Sequence, residues 1–459
     1  MTQRLQKTIL FAGVILTLLV SILSGIRAGS ASPARLNSRT VFLPVVRKDS
    51  PRSTIFGMDL TSLPSAKLPL VVNAGVSWVR ITSSWAKVEP TPGSRDWGAV
   101  AAIEQQILDA VSNHLTPILI VEDTPTWALK TGFHCGAVAQ EQFPALQAFL
   151  TDMVKRYAAS PYNVRYWEMW NEPDVAEKLG CWGTPNEPYY GGEHYGEMLK
   201  IAYPAIKAVQ PSAQVLVGGL LLDCDPRNPP QGKDCTSSTF LTGALQSGAA
   251  NSFDGVSFHA YDYYAPSDGM YRNSNWNSAW NTTGPVHAVK ADYLTSLLNE
   301  ANVSKKYLIN TEFALLCDNC SGVANYENLK AAYLAQGYIV ALAKGYAGNL
   351  WYSMMGWRSS GLLNSNLEPL PAYYAFRFAR QQLGEAQYVQ KLSLDGLDGY
   401  EFKRNTTTIW VLWAKDLQTH PISLPETPDA IFDISGNAQP IDGVNLSVAA
   451  APWYVVWTP

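Results

Sequence analysis

Trp170-Asn171-Glu172-Pro173 closes the apolar run Val164-Arg165-Tyr166-Trp167-Glu168-Met169. The run has the length and bulk of a strand, and the proline ends it in a turn. A carboxylate and an amide therefore stand side by side at a strand tip. A second strand-like run, Tyr307-Leu308-Ile309-Asn310-Thr311-Glu312-Phe313-Ala314, also carries a glutamate near its end. Two such glutamates can break a glycosidic bond. One protonates the leaving oxygen while the other attacks the anomeric carbon, provided their carboxyls lie about 5–5.5 Å apart. At that distance mutual repulsion leaves one of them protonated near neutral pH. Glu172 and Glu312 are 140 residues apart in the chain, so they can meet only across a closed ring of strands.

The rest of the chain predicts such a ring. Eight strand patterns run over Thr54–Leu60, Val76–Thr82, Pro117–Val121, Val164–Trp170, Gln214–Gly219, Gly255–Tyr261, Tyr307–Phe313 and Asn349–Met354. Helical patterns follow the second to eighth strands: Trp97–Asn113, Gln140–Ala158, Tyr189–Val209, Phe240–Ser247, Ala288–Ala301, Asn325–Lys344 and Pro371–Leu383. Alternation of this kind predicts parallel strands with right-handed crossovers, and eight units fit a (β/α)8 TIM barrel. A doubly wound sheet is the competing α/β architecture, but Gly57-Met58-Asp59-Leu60-Thr61-Ser62 after the first strand is no phosphate-binding loop. After about residue 385 only short runs recur, at Thr408–Trp413, Ala430–Ile434 and Tyr454–Trp457, which predicts a small antiparallel β domain. The expected division is 1–31 signal peptide or N-terminal anchor, 32–50 linker, 51–384 barrel and 385–459 β domain. The patch Val41–Val46 is a candidate extra strand for the last of these.

In a (β/α)8 barrel the chemistry sits at the C-terminal strand ends. That rule selects Arg80, Glu122, Asp123, Trp127, Asn171, Glu172, His259, Tyr261, Glu312 and Trp351, with Trp357 just beyond. Arg80 and Tyr261 are expected to keep Glu312 ionised, and Asn171 to reach a sugar 2-hydroxyl. Trp127, His259 and Trp351 are expected to contact substrate. Each has a plainer alternative: a surface ion pair for Arg80, a satisfied core histidine for His259, simple packing for the tyrosines. Glu168 is four residues before Glu172, on the same strand face and about 13 Å deeper, so it is expected to be structural. Glu122 and Asp123 remain rivals for a carboxylate role. No His-x-x-x-His pair and no Cys/His quartet is present, so neither metal nor cofactor is expected.

The net charge of −4 argues against nucleic acid as a partner. The chain has 15 Trp and 23 Tyr; packing accounts for most of them, and the sharper reading is sugar binding, since sugars stack on such flat amphipathic rings. Arg4 and Lys7 precede an apolar run from Ile9 to Leu23, and small residues follow, the pattern of an export signal. An uncleaved anchor is the alternative and the one expected route to a membrane. Six cysteines fit an oxidising, extracellular setting. Short loops favour Cys224 with Cys235 and Cys317 with Cys320, which leaves Cys135 with Cys181. The Cys317–Cys320 spacing also admits redox chemistry or zinc.

These residues resemble the clan A glycoside hydrolases, and within the clan the family 39 and family 5 types. The match lies in Trp170-Asn171-Glu172-Pro173-Asp174, Thr311-Glu312, Trp85-Ala86-Lys87-Val88-Glu89-Pro90, Pro125-Thr126-Trp127-Ala128 and His259-Ala260-Tyr261. The resemblance covers roughly residues 54–380. It implies a retaining β-glycosidase with Glu172 as acid/base and Glu312 as nucleophile, acting on plant or microbial polysaccharide or oligosaccharide. The alternatives are a carbohydrate-binding surface protein on a retired barrel and a transglycosylase. The motifs do not discriminate between sugars, linkages, or endo and exo action.

Overall fold

The computed structural model describes residues 54–459 except 61–62, 64–65, 176–179, 181, 268, 273–279, 281–283 and 304. The expected signal, linker and Val41–Val46 strand lie outside the described residues, as do Cys181 and Trp276. Strands β1 (Phe56–Asp59), β2 (Trp78–Ser84), β3 (Thr116–Glu122), β4 (Tyr166–Asn171), β5 (Gln214–Leu220) and β6 (Gly255–Ala265) come first. The short β7 (Met270–Arg272) folds back on β6, and β8 (Tyr307–Leu316) and β9 (Gly348–Tyr352) complete the sheet. The order β5-β4-β3-β2-β1-β9-β8-β6 closes through β5–β6, and every pair in the ring is parallel. This is the expected eight-stranded TIM barrel.

Helices α1 (Leu68–Ala74), α2 (Trp85–Val88), α3 (Ala101–Ser112), α4 (Phe143–Tyr157), α5 (Gly192–Val209), α6 (Phe240–Gln246), α7 (Val286–Glu300), α8 (Ala324–Ala343) and α9 (Pro371–Leu383) cover the outside. The sequence pattern missed α1. Its seven residues are too few for periodicity to show, and the αL cap at Gly75 is what stops it.

Each strand is buried on both faces, which is why the barrel runs read as continuously apolar. Alternation divides them. In β3, Leu119 and Val121 join the outer core against the helices, while Ile118 points inward with Trp78, Leu216, Ile309 and Leu350 to plug the lower barrel. Above this plug the inward residues turn polar. A barrel filled with side chains below and lined with charge above can present chemistry at one end only.

The C-terminal part forms a five-stranded antiparallel sheet, ordered β10 (Gln387–Leu392), β11 (Leu397–Arg404), β12 (Thr407–Ala414), β16 (Trp453–Trp457) and β14 (Ala430–Phe432). The pair β13 (His420–Ser423) and β15 (Asn445–Val448) stands apart. Phe378 of α9 packs on Phe432 and Tyr454 with ring centroids 5.5 and 5.0 Å away. Phe402, Ile409 and Val411 belong to the barrel's own core, so the β sheet and the barrel share one hydrophobic interior.

Candidate active site

The tip of β4 is kinked. Trp170 and Glu172 have φ of 74° and 45°, left-handed values that neither residue favours. The Glu172 N–H bonds the Gly219 carbonyl of β5 at 3.0 Å, and Trp170 packs edge-on against Trp182 at 4.9 Å. Two glycines make this kink feasible. A Cβ on Gly218 would sit 2.4 Å from the Met169 and Trp170 carbonyl oxygens, and one on Gly219 would sit 2.1 Å from Nε2 of His259. The Gly218-Gly219 pair was legible in the sequence, but its purpose was not.

A bulge in β8 delivers the second glutamate. Phe258 pairs with Asn310 and His259 with Glu312, which leaves Thr311 as an extra residue. The neighbour on the other side slips at the same point, from Asn310–Asn349 to Phe313–Trp351. Thr311 bonds Glu168 inside the barrel at 3.1 Å, and Glu312 also faces inward. A bulge re-aims a side chain in this way.

The imidazole of His259, fully buried, lies between the two carboxylates. Its Nδ1 is 2.8 Å from Oε1 of Glu172 and its Nε2 is 3.5 Å from Oε1 of Glu312. One ligating atom from each of the three residues lies within 4.8 Å of the others. That spacing would suit a small cation, but the Arg80 guanidinium bonded to Glu312 opposes one electrostatically. Burial pushes the His259 imidazole down to about 4, so it is neutral at pH 7.

Arg80 is the hub beneath. It donates to Glu312, to Glu168 at 2.6 Å, to Asp59 at 3.1 Å and to the Asn171 side-chain oxygen at 2.7 Å. Asp59 was not singled out in the sequence, although it sits at a strand end. Glu168 is fully buried and also accepts the Ser257 hydroxyl, the structural role expected of it. Tyr261 donates its hydroxyl to the other Glu312 oxygen. Glu312 thus receives donors on both oxygens, whereas among the described residues Glu172 has His259 alone as a side-chain hydrogen-bond partner. Burial pushes both carboxyls up to about 7, with Arg80 acting against the rise at each. The donors on Glu312 favour its ionised form more than the single His259 contact favours that of Glu172.

Other expected residues fall less centrally. Glu122, at the end of β3, is also raised to about 7 by burial. Asp123 accepts the Ser84 hydroxyl. Trp127 is half-buried on a short turn, edge-on to Trp85 at 5.6 Å, with its indole N–H on the Glu89 carbonyl at 3.1 Å. Trp351 requires a correction. It is fully buried, packs on Phe313 and Tyr333 of the outer layer, and donates its indole N–H to the Ser360 carbonyl at 2.9 Å. It therefore has no surface to offer a sugar. Strand alternation points its neighbour Tyr352 inward, where the ring meets Tyr261 edge-on at 6.2 Å. Trp357 is exposed at the rim, 6.5 Å from the Tyr261 ring.

Cys224 is bonded to Cys235 and Cys317 to Cys320, as the short loops predicted, so the Cys317–Cys320 pair is not a thiol metal site. Cys135 is also disulfide-bonded, while its expected partner lies outside the described residues. Among the described residues no helix is long and apolar enough to cross a membrane.

No family model and no curated protein matches the sequence. Solved structures do match. A family 39 glycoside hydrolase from Bacteroides cellulosilyticus superimposes with a TM-score of 0.68 at 21% identity, over 88% of this chain and 81% of that one. The chain has the fold of the clan A glycoside hydrolases. A family 30 subfamily 8 xylanase from Clostridium acetobutylicum gives 0.59 at 14% identity, over 89% and 96% of the two chains. A β-xylosidase from Caulobacter crescentus gives 0.57 at 14%, over 89% and 97%.

Proposed function

We propose that the chain is an exported retaining β-glycosidase that uses no cofactor. The observation that carries the reading is the convergence of Glu172 and Glu312, whose carboxylate oxygens approach within 4.8 Å across the barrel. That approach fits the short carboxyl separation at which one carboxylate attacks the anomeric carbon directly. The neighbouring structures, described as glycoside hydrolases, a xylanase and a xylosidase, support a carbohydrate substrate.

Glu312 is the nucleophile, kept ionised by Arg80 and Tyr261. Glu172 is the acid. We assign the neutral His259 its proton on Nε2, facing Glu312, which leaves Nδ1 to accept from protonated Glu172. When substrate enters, Glu172 gives its proton to the glycosidic oxygen as Glu312 bonds to the anomeric carbon and the C–O bond breaks. Glu172 then takes a proton from water, which attacks the same carbon and frees Glu312. Asn171 presents its amide N–H groups to the sugar 2-hydroxyl, because Arg80 already occupies its oxygen. Export rests on the signal pattern in residues 1–31 and on the disulfides.

The test is azide rescue on a 4-nitrophenyl glycoside. Glu312→Gly with azide should yield a glycosyl azide of inverted anomer, and Glu172→Ala one of retained anomer. Native turnover by either variant without azide would refute the roles.

A further inference from the structure

Helix α7 carries a buried lysine that the chemistry above leaves unused. Lys290 is 1% exposed. Its ammonium donates to two main-chain oxygens: Leu221, just past β5, and His259 on β6, the latter at 3.0 Å. The same loop is held at a second point. Asp174, two residues after Glu172, accepts the N–H groups of Leu221 and Leu222 at 2.9 and 2.8 Å. Leu222 has φ of 52°, a conformation leucine adopts only under restraint, and the Asp174 carboxylate supplies that restraint.

The helix is itself docked on β6. Asp262, three residues beyond His259, accepts the Val286 N–H at 2.9 Å and the Tyr333 hydroxyl at 2.8 Å. Val286 opens α7, and Lys290 follows one turn later on the same side of the helix. The lysine is thereby aimed at the β5 and β6 tips. An ammonium buried this deeply is costly unless its charge is answered, and Asp174, Asp223, Asp262 and Glu172 surround it. A purely space-filling role would need no charge. What distinguishes lysine here is a fixed pair of main-chain bonds, one of them to the residue whose imidazole separates the two glutamates.

We infer that Lys290 and Asp174 form a strap across the tips of β4, β5 and β6 that sets the position of the His259 imidazole, and through it of Glu172. Both are positioning residues, since neither contacts the reacting atoms. The inference rests on the glycosidase reading for its effect on turnover, but not for its effect on His259.

The experiment uses the full chain labelled with 15N-histidine. The His259 imidazole signal is assigned by its loss in His259→Asn. Lys290→Met and Asp174→Asn are then compared with the native chain for that signal, for thermal unfolding, and for kcat and KM on 4-nitrophenyl β-glycosides. Both variants should unfold cooperatively, shift the His259 signal, and lower kcat about 100-fold for Lys290→Met with KM changed less than about threefold. A folded Lys290→Met with an unmoved His259 signal and native kcat overturns the strap. Failure of both variants to fold also overturns it, by making the cluster a stability element. A native chain inactive on every glycoside, with the His259 signal still shifted in Lys290→Met, supports the strap and removes the glycosidase reading instead.

Discussion

His259 on β6 pairs with Glu312 on β8, one residue later than the preceding pair Phe258–Asn310 would dictate. This slip is what brings a glutamate to the imidazole. Without it, alternation from Ile309 and Thr311, both inward, would send Glu312 out toward the helices.

Gly219→Ala should damage activity more than stability. The new methyl would lie 2.1 Å from Nε2 of His259 and must displace the imidazole from its place between the two glutamates. We expect kcat to fall by about 100-fold. Parallel thermal melts and kinetics check this, and an alanine variant with native kcat would show that the ring position is unimportant.

Activity should fall on the alkaline side as Glu172 loses its proton. Burial raises that carboxyl to about 7, so the acid is present below pH 7 and is lost as the pH rises through that value. On the proposed roles the acid limb belongs to Glu312, which must be ionised to attack. Burial also raises it to about 7, while its Arg80 and Tyr261 donors hold it below Glu172, so the two limbs enclose a narrow optimum near pH 7. A kcat/KM profile on an activated aryl glycoside measures both limbs. Because an aryl leaving group needs little protonation, Glu172→Gln should flatten the alkaline limb in that assay. A limb unchanged in that variant would assign it to another group.

Arg80→Met should be severely destabilising. It would strand Glu168, Asp59 and Glu312 in a buried site without their shared cation. Removing one partner of a buried ion pair costs about 3–5 kcal/mol. Denaturant unfolding measures the loss, and a change under about 1 kcal/mol would mean that water or protonation replaces the guanidinium.

Trp351 and Tyr352 should separate cleanly. Trp351→Ala empties a packed position between Phe313 and Tyr333, at a cost of about 3–5 kcal/mol. Tyr352→Ala touches the Tyr261 side of the site and should alter kcat/KM with a smaller loss of stability. Calorimetry and kinetics on both variants decide the matter. The reverse outcome would reinstate Trp351 as the ring facing the sugar.

Much of this molecule was legible in one dimension. Strand and helix patterns repeat locally, so eight strands, the helices after the second to eighth of them, the antiparallel tail and the two short disulfide loops could be counted along the chain. Glu172 and Glu312 could be picked out as candidates because each stands near the end of a strand-like run inside a recognisable motif. Three things were not legible. Which of Trp351 and Tyr352 faces inward depends on the register of β9, and register is set by its neighbours. That Glu312 faces inward depends on a bulge, which needs two partner strands to define it. The work of Gly218, Gly219, Asp174 and Lys290 depends on residues tens of positions away that come within hydrogen-bonding or van der Waals distance only after closure. The sequence by itself determined the ring and the chemical groups on its rim. The tertiary structure alone decided which groups touch, because contact across a barrel is a property of its closure and stagger, and no single strand contains either.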